Sequence, residues 1–301
     1  MNYETKRLHL KRLHLFEIED LAICPDWIRD RVTSMIVVVH RWLGVPRIVA
    51  DQLGFILADT DGEAFTIVDV CSGNGGPLPD ALELMVVEQS FDRRVELVLT
   101  DLRPPSGWMA PIRGGKDKGG GKDKAETSIQ YFKRPLNACM PLMEQLGTTP
   151  SGGGDSLIRD GSLVIRTLVC GFHHLAPEHA RLVLLDAQTS KQPLVIFELT
   201  DGTVPPRWLW WVTLPPNFLF GLLVSLFTWP VTVRGLVFSF LVPIIPACFA
   251  WDGAVTSART YREAELYDLV RTLPASQDYQ WEFKTVPGLI VQHSLIIGRP
   301  V

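Results

Sequence analysis

Three clusters of residues have types and spacing that could do chemistry. The first is Asp69-Val70-Cys71-Ser72-Gly73-Asn74-Gly75-Gly76, which follows the β-branched run Phe65–Val70 and precedes a helical stretch, residues 78–89. Glycines let the chain turn tightly and let a ligand approach the backbone. No GK[ST] follows, so this is not a P-loop. A dinucleotide fingerprint would need Cys71 in the first glycine place, with Gly73 and Gly76 after it. Asp69 would then repel a pyrophosphate. The second is Asp101, which closes the apolar run Val95–Thr100; a carboxylate there can accept two hydrogen bonds. The third is His173-His174, just after Leu163–Val169. This pair reads three ways: a general base, a structural hydrogen-bonding pair, or a metal site with His179. No carboxylate motif completes a metal set, so none is expected. Cys71 reads as a small packing residue rather than a nucleophile, because no histidine stands near it in sequence.

The elements that must position these groups alternate. Apolar runs at Phe65–Val70, Val95–Thr100, Leu163–Val169 and Leu194–Glu198 predict strands, with helices at residues 78–89 and Pro177–Ala187 between them. A further short element is expected near Leu136–Met140. Tyr261–Leu273 predicts an amphipathic helix, and Tyr279–Phe283 and Leu289–Ile297 predict two closing strands. Alternation of this kind argues for a parallel sheet with crossover helices. Upstream, Pro25–Leu43 predicts a helix stopped by Gly44, with Ile28, Val32, Ile36, Val39 and Leu43 facing a core.

The glycine segment resembles motif I of the Rossmann-like (class I) S-adenosylmethionine-dependent methyltransferases, an acid-x-Gly-x-Gly-x-Gly pattern met here by Asp69, Cys71, Gly73 and Gly75, with cysteine in the first glycine place. The resemblance implies a doubly wound, mostly parallel seven-stranded α/β sheet. It implies that Asp69, Cys71, Ser72, Gly73, Gly75 and Leu102 hold S-adenosyl-L-methionine, and that Asp101 meets its ribose. It implies that Asn137 and Ala138 lie beside the adenine; Asn137 is an amide where the family often has an acid. Phe172-His173-His174-Leu175 looks like the family's segment after the fourth strand, which makes His173 and His174 the candidate catalytic residues. The resemblance spans residues 64–200 and 253–299.

Composition bounds what else the chain could be. It has 301 residues, is 47% apolar and carries a formal charge of −4, with a mean hydropathy of +0.14. Wholesale disorder is excluded, and a broad cationic face for nucleic acid is not expected. Five dispersed cysteines without a CxxC fit neither a zinc cluster nor a disulfide framework. No cleavable signal is expected at the N-terminus, where KRLHL occurs twice in Lys6–Leu15. Arg113–Lys124 and Ser151–Asp155 are low-complexity, and no order is expected in the first.

Trp208–Trp251 breaks the alternating pattern: Arg234 is its one charged side chain. It is long enough to span a bilayer, but Pro215, Pro216, Pro230, Pro243 and Pro246 interrupt it. Broken helices in one leaflet, or a soluble lid, are the alternatives. Trp208, Trp210 and Trp211 suit an interfacial belt. The expected organisation is an N-terminal helical cap (1–63), a cofactor core (64–201), a hydrophobic insertion (202–252) and the rest of the core (253–301). Phe172, Trp251, Asp252, Arg259 and Tyr261 are the expected acceptor-binding residues, with Asp252 otherwise a helix cap. The functional expectation is methyl transfer to a small, lipophilic or membrane-delivered acceptor, on the cytoplasmic side of a membrane or free in the cytoplasm. The alternatives are a membrane-associated binding protein with a degenerate fold, and an NAD(P)-dependent oxidoreductase.

Overall fold

The apolar and β-branched residues of the four central runs are buried on both faces of one sheet, which is what a parallel arrangement requires. The computed structural model describes residues 12–88, 91, 93–105, 107–108, 127–147, 158 and 161–301. Two helices lead, α1 (Asp26–Trp42) and α2 (Val45–Ala58), and then the alternation begins. It runs β1 (Ala64–Val70), α3 (Leu78–Val87), β2 (Arg94–Thr100), β3 (Thr127–Tyr131), α4 (Leu142–Gln145), β4 (Leu163–Val169), α5 (Pro177–Thr189) and β5 (Leu194–Glu198). The apolar insertion follows as a 3-10 turn (Arg207–Thr213), α6 (Leu214–Phe227), α7 (Val233–Leu236), a π turn (Val237–Leu241) and α8 (Ile244–Arg259). The chain closes with α9 (Glu263–Arg271), β6 (Tyr279–Pro287) and β7 (Gln292–Pro300).

The seven strands form one sheet in the order β3-β2-β1-β4-β5-β7-β6. β1 to β5 are parallel, and β7 enters antiparallel between β5 and β6. This is the doubly wound, mostly parallel Rossmann-like architecture expected from the motif. Side-chain alternation sorts the two faces. Phe65, Ile67, Leu97 and Ile165 pack under α2 and α3, while Leu168, Ile196 and Ile296 pack against α5 and α9. The sheet order reverses between β1 and β4, so their carboxyl ends leave the crevice where such sheets bind ligands. The glycine turn follows β1, and the histidine pair follows β4.

α1 spans the sequence expected of it, with Gly44 taking a left-handed φ of 69° at its end. Its Ile28, Val32, Met35 and Val39 pack on Val224, Ile245 and Cys248 of the insertion. Ile36, expected in that core stripe, packs at its edge and also lines a cavity. Two expectations are corrected. The third strand is Thr127–Tyr131; Leu136–Met140 is a turn beside the crevice. Within the expected helical cap, Val45–Ala58 is a second helix, which buries Val49, Leu53 and Leu57 on the sheet. β7 begins at Gln292, because Leu289 and Ile290 lie in the exposed turn before it. The expectations for Lys6–Lys11, for Arg113–Lys124 and for Ser151–Asp155 lie outside the described residues.

Candidate functional site

Asp69 organises the glycine turn from beneath. It is buried, its Oδ2 accepts from the Ser72 hydroxyl at 2.6 Å, and its Oδ1 accepts from the Thr167 hydroxyl at 2.7 Å. Its backbone carbonyl accepts from Thr100 Oγ1 at 2.7 Å. Burial pushes its carboxyl up to about 7, against those two hydroxyl donors. The carboxylate therefore faces inward, away from the crevice, and the expectation that it meets a ligand is corrected: Asp69 pins β1, β2 and β4 together under the turn. Above it the chain runs left-handed at Cys71 (φ 65°), Gly73 (51°), Gly75 (98°) and Gly76 (55°). Cysteine thus adopts the conformation that a glycine would take there without strain. Its Cβ lies against Gly171, where an added Cβ would come within 2.8 Å.

Asp101 closes the turn from the side. Its Oδ2 accepts from the Gly73 N–H at 2.8 Å and its Oδ1 from the Arg103 N–H at 2.8 Å. Burial raises its carboxyl, and the two N–H donors oppose that shift. Each oxygen keeps a lone pair toward the crevice. Tyr131 donates to the Gly73 carbonyl at 2.7 Å, and so β3 steadies the same turn.

The crevice is roofed by α1. The roof is fastened where Asn74 Nδ2 donates to the Asp30 carbonyl and to Thr33 Oγ1, each at 2.6 Å. Between roof and turn lies a cavity of about 420 Å³. Cys71, Ser72, Gly73, Asp101, Leu102, Asn137, Ala138 and His174 all line it; Asp69 and Gly75 do not. Asn137 uses its side-chain oxygen to accept from the Cys139 N–H at 3.0 Å, which leaves its amide nitrogen for a ligand. α1 contributes Thr33, Ile36, Val37 and His40, one helical stripe.

His40 is a site residue that the sequence reading missed. It is buried, both ring nitrogens lack a hydrogen-bond partner among the described residues, and burial lowers its pKa to about 4. The only sequence signal was a polar residue closing the apolar run Ile36-Val37-Val38-Val39.

The other face of α1 lines a second cavity of about 660 Å³ with Trp27, Arg31, Val38 and Arg41, opposite Phe227, Trp229 and Arg234 of the insertion. The two cavities share Asp30, Val37, Asn74, Gly76 and Pro105. Asp30 is the one carboxylate common to both linings.

The histidine pair sits in an acidic cage, and this corrects its expected role. His173 is buried away from both cavities; its Nδ1 lies 2.8 Å from Glu198 Oε2, and its backbone N–H donates to Glu198 Oε1 at 3.0 Å. His174 reaches the cavity over the glycine turn, with Nδ1 2.8 Å from Glu17 Oε2 and 3.0 Å from Asp20 Oδ1. Burial opposes its charge, but Glu17 and Asp20 outweigh this and hold its pKa well above the ordinary value. An imidazole that stays protonated is a poor base near neutrality. Glu17, itself buried, is held at about 2: the two histidines and Arg259 outweigh its desolvation. Glu17, His173 and His174 form a set of metal-ligand type, in which Arg259 Nη1, 3.3 Å from Glu17 and 2.8 Å from Asp20, supplies positive charge.

The five expected acceptor residues line neither cavity; they buttress this cage. Arg259 donates to the carbonyls of His173 (3.2 Å) and His174 (2.7 Å). Tyr261 donates to the Leu175 carbonyl at 2.7 Å and packs on the fully buried Phe172. Asp252 lies within α8, so it caps nothing; it accepts from the Ile18 N–H at 2.5 Å and the Glu19 N–H at 3.3 Å. Trp251 donates to the Phe16 carbonyl at 3.0 Å and stacks on its ring. Residues 12–24 are therefore a strap tied across the histidine turn, with Glu19 and Asp20 reaching the cavity wall.

No protein-family model and no curated protein matches the chain. Solved structures similar to it include a plantazolicin methyltransferase in complex with a monoazolic desmethylPZN analog and SAH, at 12% identity and a TM-score of 0.38, covering 91% of this chain and 87% of that one. A protein described as a Zn-dependent alcohol dehydrogenase from Rhodobacter sphaeroides is similar at 11% identity and a TM-score of 0.43, covering 91% and 98%. At these values neither neighbour's activity transfers to this chain, and the Rossmann-like fold rests on its own strand order.

Proposed function

We propose that the chain is an S-adenosylmethionine-dependent methyltransferase acting on an apolar acceptor. The observation that carries this reading is the pair of adjoining cavities: one on the glycine turn and Asp101, the other between α1 and the apolar insertion. The first fits the cofactor by its chemistry. Open left-handed glycine backbone would take the amino-acid part, Asp101 the ribose hydroxyls, Asn137 and Ala138 the adenine, and the acidic wall of Asp20, Asp30 and Asp101 suits a cationic ligand. When bound, S-adenosylmethionine supplies an electrophilic methyl carbon on a sulfonium. This chain's residues hold donor and acceptor in line, which is the main source of rate in such a displacement. Asp30 stands at the junction to take a proton from an acceptor that must lose one, a task for which His173 is buried and His174 already charged.

The acceptor's apolar character rests on Val38, Phe227, Trp229 and Ile245 in the second cavity. Beyond it the insertion exposes Trp208, Trp211, Leu219, Leu226, Trp229, Val233 and Leu241, large apolar side chains of the kind that mark an interaction surface when they cluster. Arg207–Phe227 is long and apolar enough to cross a membrane, while α7 and the π turn meet α8 at a 70° bend. We read the insertion as lying on a bilayer, with the sheet on the cytoplasmic side.

The test is thermal shift of the full chain with S-adenosylhomocysteine, S-adenosylmethionine, NAD and NADP. A ligand at one hundred times its Kd stabilises by about 2.7 kcal/mol, so the first two are expected to raise the Tm by several degrees and the dinucleotides to leave it unchanged. A shift with NAD or NADP alone would favour the oxidoreductase alternative. A shift with S-adenosylhomocysteine and no methyl transfer to any lipid fraction would favour a binding protein.

A further inference from the structure

Three guanidinium groups line the 660 Å³ cavity, and they are not alike. Arg41 is neutralised: its Nε lies 2.5 Å from Asp80 Oδ2 and its Nη2 donates to Oδ1 at 3.3 Å. Arg31 and Arg234 pair with no carboxylate among the described residues. Arg31, half-buried, donates to two backbone carbonyls, Pro230 at 2.8 Å and Ser225 at 3.3 Å, and its Nε has no partner. These carbonyls orient the guanidinium without cancelling its charge. It rests against Gly235, where an added Cβ would meet Arg31 Cζ at 3.4 Å and Thr232 Oγ1 at 3.0 Å. The neighbouring Arg234 is exposed and its guanidinium carbon stands 5.3 Å from the ring centre of Trp27, one helical turn before Arg31. Two cations that pair with no carboxylate among the described residues therefore share a wall with Phe227, Trp229 and Ile245, and Asp30 is in the same lining without an ion pair to either. An uncompensated charge in a half-buried, apolar setting is costly unless an anion meets it.

We propose that Arg31 and Arg234 form an anion subsite at the mouth of the acceptor cavity, for the phosphate head group of a membrane amphiphile whose apolar chain lies among Val38, Phe227, Trp229 and Ile245. Guanidinium suits phosphate because its planar fork donates two parallel hydrogen bonds. The cavity lies beside the insertion's exposed apolar surface, so a lipid head group is the source the surroundings favour. This inference deepens the methyl-transfer reading by naming its acceptor class, and it rests on that reading only for the chemistry, not for the binding.

The test uses the full chain and the fluorescence of Trp27, Trp108 and Trp229, which line the cavity. Dodecyl phosphate below its micellar concentration is expected to bind about tenfold or more tightly than dodecyl maltoside, the scale of one charge-assisted contact. R234Q, a change at an exposed position, and G235A, whose added Cβ would crowd Thr232 Oγ1 at 3.0 Å and touch the Arg31 guanidinium at 3.4 Å, are each expected to remove most of that preference. R31Q is expected to abolish it. Equal binding of the two probes, or an unchanged preference in R234Q and G235A, overturns the subsite. Vesicle co-sedimentation separates the sources: preference for phosphatidylcholine vesicles containing phosphatidylglycerol over phosphatidylcholine alone, lost in R234Q, supports the lipid. Preference for dodecyl phosphate without that vesicle preference overturns the lipid source in favour of a free amphiphile. Calorimetry with S-adenosylhomocysteine on the same protein keeps the two readings apart, because failure there removes the methyl-transfer reading while dodecyl phosphate binding still decides the subsite.

Discussion

At the scale of single residues, the site is a division of labour between carboxylates. Asp69 faces inward and fixes the turn; Asp101 faces the crevice. Asp101→Ala is expected to weaken S-adenosylhomocysteine binding by about 1.5–3 kcal/mol, read by calorimetry, because a charge-assisted acceptor is lost. His40 gives a sharper signature. Its folded pKa of about 4 lies below the ordinary 6.5. A neutral buried imidazole contributes stability that is present above 6.5 and lost as the pH falls through 4. The shift corresponds to about 3 kcal/mol. His40→Phe is expected to remove that part of the acid sensitivity between pH 6.5 and 4 in denaturant titrations; an unchanged pH slope would contradict the buried, neutral assignment. The motif residues were legible because the turn is local: glycine, cysteine and acid lie within eight positions. His40 was not, because a polar residue inside an apolar helical run reads as ordinary until the cavity it lines is seen.

At the scale of elements, α1 is the partition and the strap of residues 12–24 is the fastening. Helical periodicity predicts one buried stripe on α1, but the helix has three engaged faces: one on α6 and α8, one over the 420 Å³ cavity, one in the 660 Å³ cavity. A pattern of one period cannot report which of its polar residues face a cavity rather than solvent. The strap was illegible for a different reason: its contacts are long-range, such as Arg259 to Asp20 across 239 positions. β3 was missed because Thr127–Tyr131 is a half-exposed edge strand with no strong apolar alternation. The strap's ion pairs carry a pH dependence. Glu17 is lowered from 4.5 to about 2, so its contribution is present above 4.5 and lost as the pH falls through 2. Hydrogen exchange over residues 13–24 is expected to accelerate across that window before the sheet amides do. Glu17→Gln should show the fast exchange already at neutral pH; unaltered protection in that variant would remove Glu17 from the fastening.

At the scale of the whole molecule, a mostly parallel sheet carries a crevice over the glycine turn on one edge of α1 and an apolar chamber on the other, and the chamber wall continues into an exposed greasy surface. Sequence alone marked that surface by its composition, and the prolines marked its breaks. How the insertion folds back onto α1 was not written in any local pattern. If the surface meets a bilayer, wild type should float with phosphatidylcholine vesicles, whereas the double substitution Leu219→Asp, Leu226→Asp should stay behind. Those positions are exposed, 66% and 57%, so the variant should keep its Tm. A monodisperse wild-type monomer that ignores vesicles would mean that the insertion serves as a soluble lid.

The central claim is that the cavity between the glycine turn and α1 holds S-adenosylmethionine. Ile36 lines that cavity from the roof, opposite the turn, and Ile36→Trp would fill it without touching Asp101 or the glycines. Titration calorimetry of S-adenosylhomocysteine into the full chain and into this variant is the direct measurement. The account predicts one-to-one binding by the wild type and a loss of at least tenfold in the variant. No binding by the wild type, or equal binding by both, would contradict it.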